Sequence, residues 1–236
     1  MKITFFLSCF LSALPVTNYA SIRDVGDIGR RYGQVVADIE SHLPTNHPYR
    51  DNDRITWVHE GTHGINSILR NTFGRPGFYV LENKAILLNT EPQTTIGEVA
   101  RMVPVSLRGD VYRLYMVDMR RYWEHQPSYI FDEFVAYTNG ADARNQLRIH
   151  DRAETVKYML EFCVYSACVP RSVKEGDEQL RLFLMFQAER AIKISNDSGI
   201  KSEYLIKLCN EPDANELRIF MRKYFGKRWA KETLGF

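Results

Sequence analysis

The chain has 236 residues, 44% of them hydrophobic and 25% charged, with 31 Lys and Arg against 29 Asp and Glu. Such a composition, with no excess of Gly or Pro and no polar low-complexity tract, excludes disorder or a fibrous repeat over most of the length. A formal net charge of +2 is too small to argue for nucleic-acid binding or adsorption to an anionic membrane.

At the N-terminus Lys2 precedes an uncharged run from Ile3 to Leu14, which Pro15 breaks before a polar stretch leads to Ala20 and Ser21. A basic start, a short apolar run and a small residue at the cleavage point read as a secretory signal peptide over residues 1–20. The run falls short of the roughly 20 residues that span a bilayer, so no membrane anchor is expected after cleavage. The expectation is a secreted or periplasmic protein whose mature part, residues 21–236, forms a single domain.

Residues 22–41 are polar with scattered apolar positions and predict a helix ending before Pro44 and Pro48. Asp51, Asn52 and Asp53 are capping residues for a second helix, and Gly74 followed by Pro76 ends it, giving a helix over about 53–73. Phe78–Leu81 and Ala85–Leu88 flank Glu82-Asn83-Lys84 and predict a β-hairpin. Further helices are expected near 109–125, 128–147, 153–168, 177–195, 200–210 and 213–225. Cys163 falls in an apolar helical series and reads as a core thiol. Cys168, at the expected helix end before Val169 and Pro170, is the better partner for a disulfide to Cys209. In the last helix Leu217, Phe220, Met221, Tyr224 and Phe225 share one face, which predicts a docked helix with a solvated basic side and Gly226 as its stop. The fold class is therefore mainly α, a compact multi-helix domain with one small hairpin.

His59-Glu60-Gly61-Thr62-His63 forms an H-E-x-x-H pattern inside the long capped helix. Residues four apart on a helix point the same way, so both imidazoles can bind one metal ion. Glu60, about 100° further round, reaches the water on that ion instead of the ion itself. Chance gives this pattern about once in a hundred chains of this length. Ile55, Val58, Thr62, Ile65 and Leu69 form an apolar stripe beside the histidines, while Gly61 and Gly64 lie roughly opposite them. Each interior glycine costs about 1 kcal/mol relative to Ala, which predicts close approach of another element there. Two imidazoles and a carboxylate buried side by side are expensive without a cation.

A catalytic zinc usually takes three protein ligands. The metzincin positions for a glycine and a third histidine are Asn66 and Leu69, which excludes that pattern. Glu133, between Phe131 and Phe134 in an expected helix, is the candidate third ligand. Tyr129 and Tyr137, four residues either side of it, share its face and are candidates to hydrogen-bond an oxyanion; Asp132 is a candidate to orient a histidine. The competing reading of Glu133 is an exposed acid on an amphipathic helix, and rival ligands are Glu124, His125 and Glu189. His42, His47 and His150 lie in polar, loop-like surroundings and read as ordinary.

With these residues the sequence resembles the zincin metallopeptidases, specifically the gluzincin type, in which H-E-x-x-H on one helix is completed by a glutamate on a later one. The resemblance implies Zn²⁺ held by His59, His63 and Glu133, with Glu60 as general base toward the metal-bound water and a peptide or protein as substrate. Two departures are visible: Tyr137 stands where some gluzincins have an Asp, and residues 42–52 cannot form the strand that usually precedes the active helix, which leaves the 78–88 hairpin to serve as substrate edge. The rival classes are a metal-binding or interaction protein that keeps the site without turnover, and a helical binding protein whose motif is accidental.

Overall fold

The computed structural model describes residues 33–44, 47, 49–173, 178–200 and 203–236. Among them the chain is mainly helical with one antiparallel strand pair, the fold class expected. The apolar leader and the first part of the predicted 22–41 helix lie outside the described residues, as does the expected start of a later helix at Asp177. Among the described residues no helix is long and apolar enough to cross a membrane.

Helix α1 (Gln34–His42) leads to α2 (Arg54–Phe73), whose ends are those the capping residues dictate. Asp53 Oδ1 accepts from Ile55 N at 3.0 Å, and Gly74 closes the helix at φ 65°, a left-handed conformation that glycine adopts without steric cost. The apolar stripe Ile55, Val58, Thr62, Ile65 and Leu69 is buried. On the other side, a Cβ on Gly61 would stand 2.7 Å from Ile39 Cγ2, and one on Gly64 would stand 2.5 Å from His47 Nε2. The two glycines thus let α1 and the loop after it lie directly on the α2 backbone, and His47 is the ring that packs there.

Strands β1 (Gly77–Tyr79) and β2 (Ala85–Leu87) pair in the register Phe78↔Ile86. They are shorter than the predicted 78–81 and 85–88, because Leu81, Glu82 and Asn83 all take positive φ (71°, 54° and 56°) and leave the ladder. The turn is held from α1: Asp38 accepts from Glu82 N and from the Tyr79 hydroxyl, both at 2.8 Å, and the Tyr79 oxygen accepts from Asn83 N at 3.1 Å.

Helix α3 (Ile96–Met102) was not predicted, although Thr95 and Glu98 form a reciprocal capping box at its start. The single helix expected at 109–125 is instead three pieces: α4 (Asp110–Arg113), a π-helical turn over Leu114–Asp118, and α5 (Arg120–Trp123). The wider turn, closed by Met119 N on Leu114 O at 2.8 Å, puts Met116 in the core and Tyr115 against α6 (Tyr129–Leu147). After α6 come α7 (Ala153–Ser172), α8 (Glu178–Asp197), α9 (Glu203–Asn210), α10 (Asn215–Tyr224) and the short α11 (Lys227–Trp229). The chief contacts run from α2 to α6, α6 to α7 and α7 to α8.

The expected Cys168–Cys209 disulfide is not formed; Cys163, Cys168 and Cys209 are all free thiols. Helix α7 does not stop at Cys168 but runs on to Ser172, carrying Pro170 in its last turn, where proline removes one intrahelical bond. Cys168 Sγ therefore faces Met102 O at 3.7 Å, while Cys209 Sγ faces Leu234 O at 3.4 Å. Cys163 is the buried core thiol expected. Leu217, Met221 and Phe225 dock the C-terminal helix, Arg222 and Lys223 stay exposed, and Gly226 ends it at φ 99°.

Candidate metal centre

The α2–α6 contact brings together the three residues that the pattern and the helix context single out. His59 and His63, one turn apart on α2, have their Nε2 atoms 3.1 Å from each other. Glu133 in the first half of α6 places Oε2 3.5 Å from His59 Nε2 and Oε1 3.6 Å from His63 Nε2. All three residues offer ligand atoms within 4.8 Å of one another. The first turn of α6 is fixed from outside the helix: Ser128 N and Oγ both donate to the Glu91 carboxylate at 2.7 Å, an anion at a helix N-terminus.

The donor set fits a zinc ion. Bonds of roughly 2.0–2.1 Å in a tetrahedron put neighbouring ligand atoms about 3.3–3.4 Å apart; the two Nε2 atoms are 3.1 Å apart, and Glu133 comes to 3.5 and 3.6 Å of the two rings through its two different oxygens. Glu133 is buried, and its Oε2 receives no hydrogen bond among the described residues. A buried carboxylate oxygen without a donor is costly, and a cation shared with two imidazoles removes that cost. Two nitrogens and one carboxylate are ligands that suit zinc.

The electrostatics agree. Burial, aided by the neighbouring His63, pushes His59 down to about 4, so its ring is a neutral base. Burial acts on His63 in the same sense, but the Asp132 and Glu133 carboxylates outweigh it and hold that ring well above its ordinary value. Glu133 and Asp132 would be raised by burial, yet His63 keeps both below the usual carboxylate range. Two carboxylates facing two rings make a strongly cation-seeking pocket.

Asp132 stands behind His63, where it can orient that ring. Its Oδ1 is 3.1 Å from His63 Nδ1 and accepts from Asn66 Nδ2 at 2.6 Å, with Arg70 3.8 Å from Oδ2. Asn66 Oδ1 in turn accepts from Tyr79 N at 2.6 Å, tying the hairpin to the site. Sequence reasoning missed Asn66 and Arg70. Both lie on the His63 side of α2, three and seven residues on, spacings that share one face of a helix. Asp132→Asn keeps the side chain's shape and removes its charge, and should weaken zinc binding by about 10–100-fold. Competition against a chromophoric chelator measures this, and unchanged affinity would show that Asp132 does not set the His63 ring.

The tyrosines divide. Tyr129 donates from its hydroxyl to Glu133 Oε1 at 2.6 Å and stacks on Trp123 with ring centroids 4.0 Å apart, so that hydroxyl orients the carboxylate. Tyr137 sets its ring against His59 at 4.3 Å, and its hydroxyl is 3.1 Å from that of Tyr115; burial lifts it to about 12. Tyr115, presented by the π-helical turn, is a second residue that sequence reasoning missed. Glu60 is half-buried, takes no hydrogen bond among the described residues, and is raised above its ordinary value by burial and by the Glu133 and Asp132 charges, against the pull of His63.

The rival ligands are occupied elsewhere. Glu124 accepts from Gly97 N and pairs with Arg120 at 3.2 Å, His125 is exposed, and Glu189 accepts from Trp229 Nε1 at 2.6 Å. The exposed-acid reading of Glu133 fails because the residue is buried. His42 is not in a loop: it ends α1, 2.9 Å from the Tyr79 hydroxyl and 3.1 Å from Asn83 Oδ1. No protein-family model, curated protein or solved structure matches this chain.

Proposed function

We propose that the chain is an exported zinc-dependent hydrolase acting on peptide bonds, with His59, His63 and Glu133 as ligands and Glu60 as general base. The observation that carries this reading is the convergence of His59, His63 and Glu133, with one ligand atom of each within 4.8 Å of the others, beside a buried carboxylate oxygen that has no hydrogen-bond donor among the described residues. A bound zinc ion supplies Lewis acidity toward a carbonyl oxygen and lowers the pKa of a coordinated water toward about 7. Glu60 takes the proton of the attacking water and passes it to the leaving amine, a task that suits a carboxylate with no hydrogen-bond partner among the described residues. Tyr137, whose hydroxyl meets the neutral Tyr115 hydroxyl, donates to negative charge developing on the carbonyl oxygen. Tyr129 and Asp132 hold Glu133 and His63 in place.

The hairpin does not offer the substrate edge expected of it. Tyr79 N and O are bonded by Asn66 and Asn139, and Leu87 O accepts from Gln179 at 2.7 Å. In this reading the substrate is gripped by side chains, not by strand addition. The alternative, a metal-binding protein without turnover, shares the ligands and differs only in chemistry.

Elemental analysis of the purified chain after incubation with zinc tests the proposal, beside hydrolysis of fluorescein-labelled casein. One zinc per chain is expected, with chelation removing metal and hydrolysis together and added zinc restoring both. A chain that stays zinc-free sinks the metal centre; zinc binding without hydrolysis of casein or an unstructured peptide library leaves the non-catalytic alternative.

A further inference from the structure

We propose that the cavity between α1, the hairpin turn, α6 and α8 is a binding site for a small apolar zwitterion, a free amino acid or very short peptide, held by Arg190 and Asp142 and separate from the metal centre. The cavity measures about 460 Å³, within the range of small-ligand sites. It lies on the far side of α6: Asp142 is nine residues beyond Glu133, which is half a turn round and roughly 14 Å along the helix.

The ligand class follows from which lining charges remain after internal pairing. Asp38 is spent on the Tyr79 hydroxyl and Glu82 N, and Glu82 is paired with Lys84 at 2.6 Å. Lys193, which influences Asp142, is itself tied to Asp197 at 2.9 Å. Arg190 and Asp142 are left, Asp142 with the neutral Gln146 side chain beside it. The guanidinium donates to two neutral oxygens, Gln187 Oε1 at 3.1 Å and Asn139 Oδ1 at 3.0 Å, and among the described residues neither Arg190 nor Asp142 forms an ion pair. Opposite charges thus line one cavity without closing on each other. Burial pushes both toward their neutral forms, Arg190 down to about 10 and Asp142 up, and the charge of each only partly offsets this for the other, as expected of opposite charges that share a cavity without direct contact.

A lone anion would meet Asp142 and a lone cation would meet Arg190, whereas a zwitterion satisfies both. Its carboxylate suits the planar fork of the guanidinium, its ammonium suits Asp142, and Val35, Val80, Leu81 and Phe186 offer its side chain an apolar floor. Leu81 reaches that floor from a left-handed conformation, φ 71°, uncommon for a leucine and concentrated at binding sites when it occurs.

Calorimetric titration of the chelator-treated chain with L-leucine, L-leucinamide and N-acetyl-L-leucine tests this, chelation keeping the amino acid from binding zinc instead. Saturable binding of leucine is expected, with each blocked analogue weaker by about tenfold or more. Asp142→Asn should erase the preference over N-acetyl-leucine, and Arg190→Gln the preference over leucinamide. Because Arg190 holds Asn139, which holds Thr62 and the Tyr79 carbonyl, a failure of Arg190→Gln to fold leaves the decision to the wild-type series and Asp142→Asn. Equal binding of the three compounds, no saturation by about 10 mM leucine, or an unchanged preference in Asp142→Asn would overturn the proposal.

Discussion

Glu60→Gln is expected to lower casein hydrolysis by roughly 10²–10⁴-fold and to leave the zinc content of the chain unchanged. Both halves follow from the place of Glu60 on α2. It sits about 100° round from His59, so it is not part of the proposed ligand group, and among the described residues it makes no hydrogen bond whose loss would disturb the helix. Glutamine matches its volume but cannot accept the proton of an attacking water. The checks are initial rates with labelled casein and zinc measured on the same preparation. A rate within a factor of about three of wild type would remove Glu60 as the base. A parallel loss of zinc would mean that the substitution had reorganised the site, in which case the rate says nothing about proton transfer.

Glu133→Gln and His63→Ala should act the other way, through the metal. Each removes one of the three proposed ligands, so the loss of zinc affinity should exceed the 10–100-fold or so expected of Asp132→Asn, and hydrolysis should disappear with the metal. Thermal denaturation gives a second readout that needs no substrate. A ligand bound only by the folded state stabilises it by about 2.7 kcal/mol when present at a hundred times its dissociation constant. Wild type should therefore gain several degrees on zinc addition, while the two variants gain little. His63→Ala also leaves Asp132 without its ring partner at 3.1 Å, so it should melt lower than Glu133→Gln in the metal-free state. Full zinc occupancy and an undiminished thermal shift in Glu133→Gln would place the third ligand elsewhere.

Much of the fold was legible because its signals are local. Asp53 and Gly74 bound α2 as capping preferences require, and Gly226 ends α10. Gly61 and Gly64 foretold a close neighbour, which proved to be Ile39, Leu43 and His47. Where reading failed, either the signal was short or the cause was remote. Helix α3 spans seven residues, too few for a period to emerge, although its Thr95–Glu98 box was there to be read. The break in the 109–125 helix comes from a π-helical turn whose purpose, seating Tyr115 against Tyr137, lies on another helix. The disulfide expectation rested on Pro170 ending α7, and packing carried the helix past it.

The same division runs through the site. His59, Glu60 and His63 were determined by sequence alone, because a capped helix of 3.6 residues per turn fixes the relative direction of residues one and four apart whatever surrounds it. Which carboxylate completes the group could be proposed from sequence, but Glu124, Glu133 and Glu189 were all open to it. Only the packing of α6 on α2 brought Glu133 to 3.5 Å from His59, put Asp132 behind His63, and turned Asn66 into a bracket between that aspartate and the hairpin. The cavity at Arg190 and Asp142 had no sequence signal at all, since its walls come from four elements spread over more than 150 positions. Local geometry is written in neighbouring residues; the burial of one charge beside another depends on which distant elements meet, and the tertiary structure alone decides that.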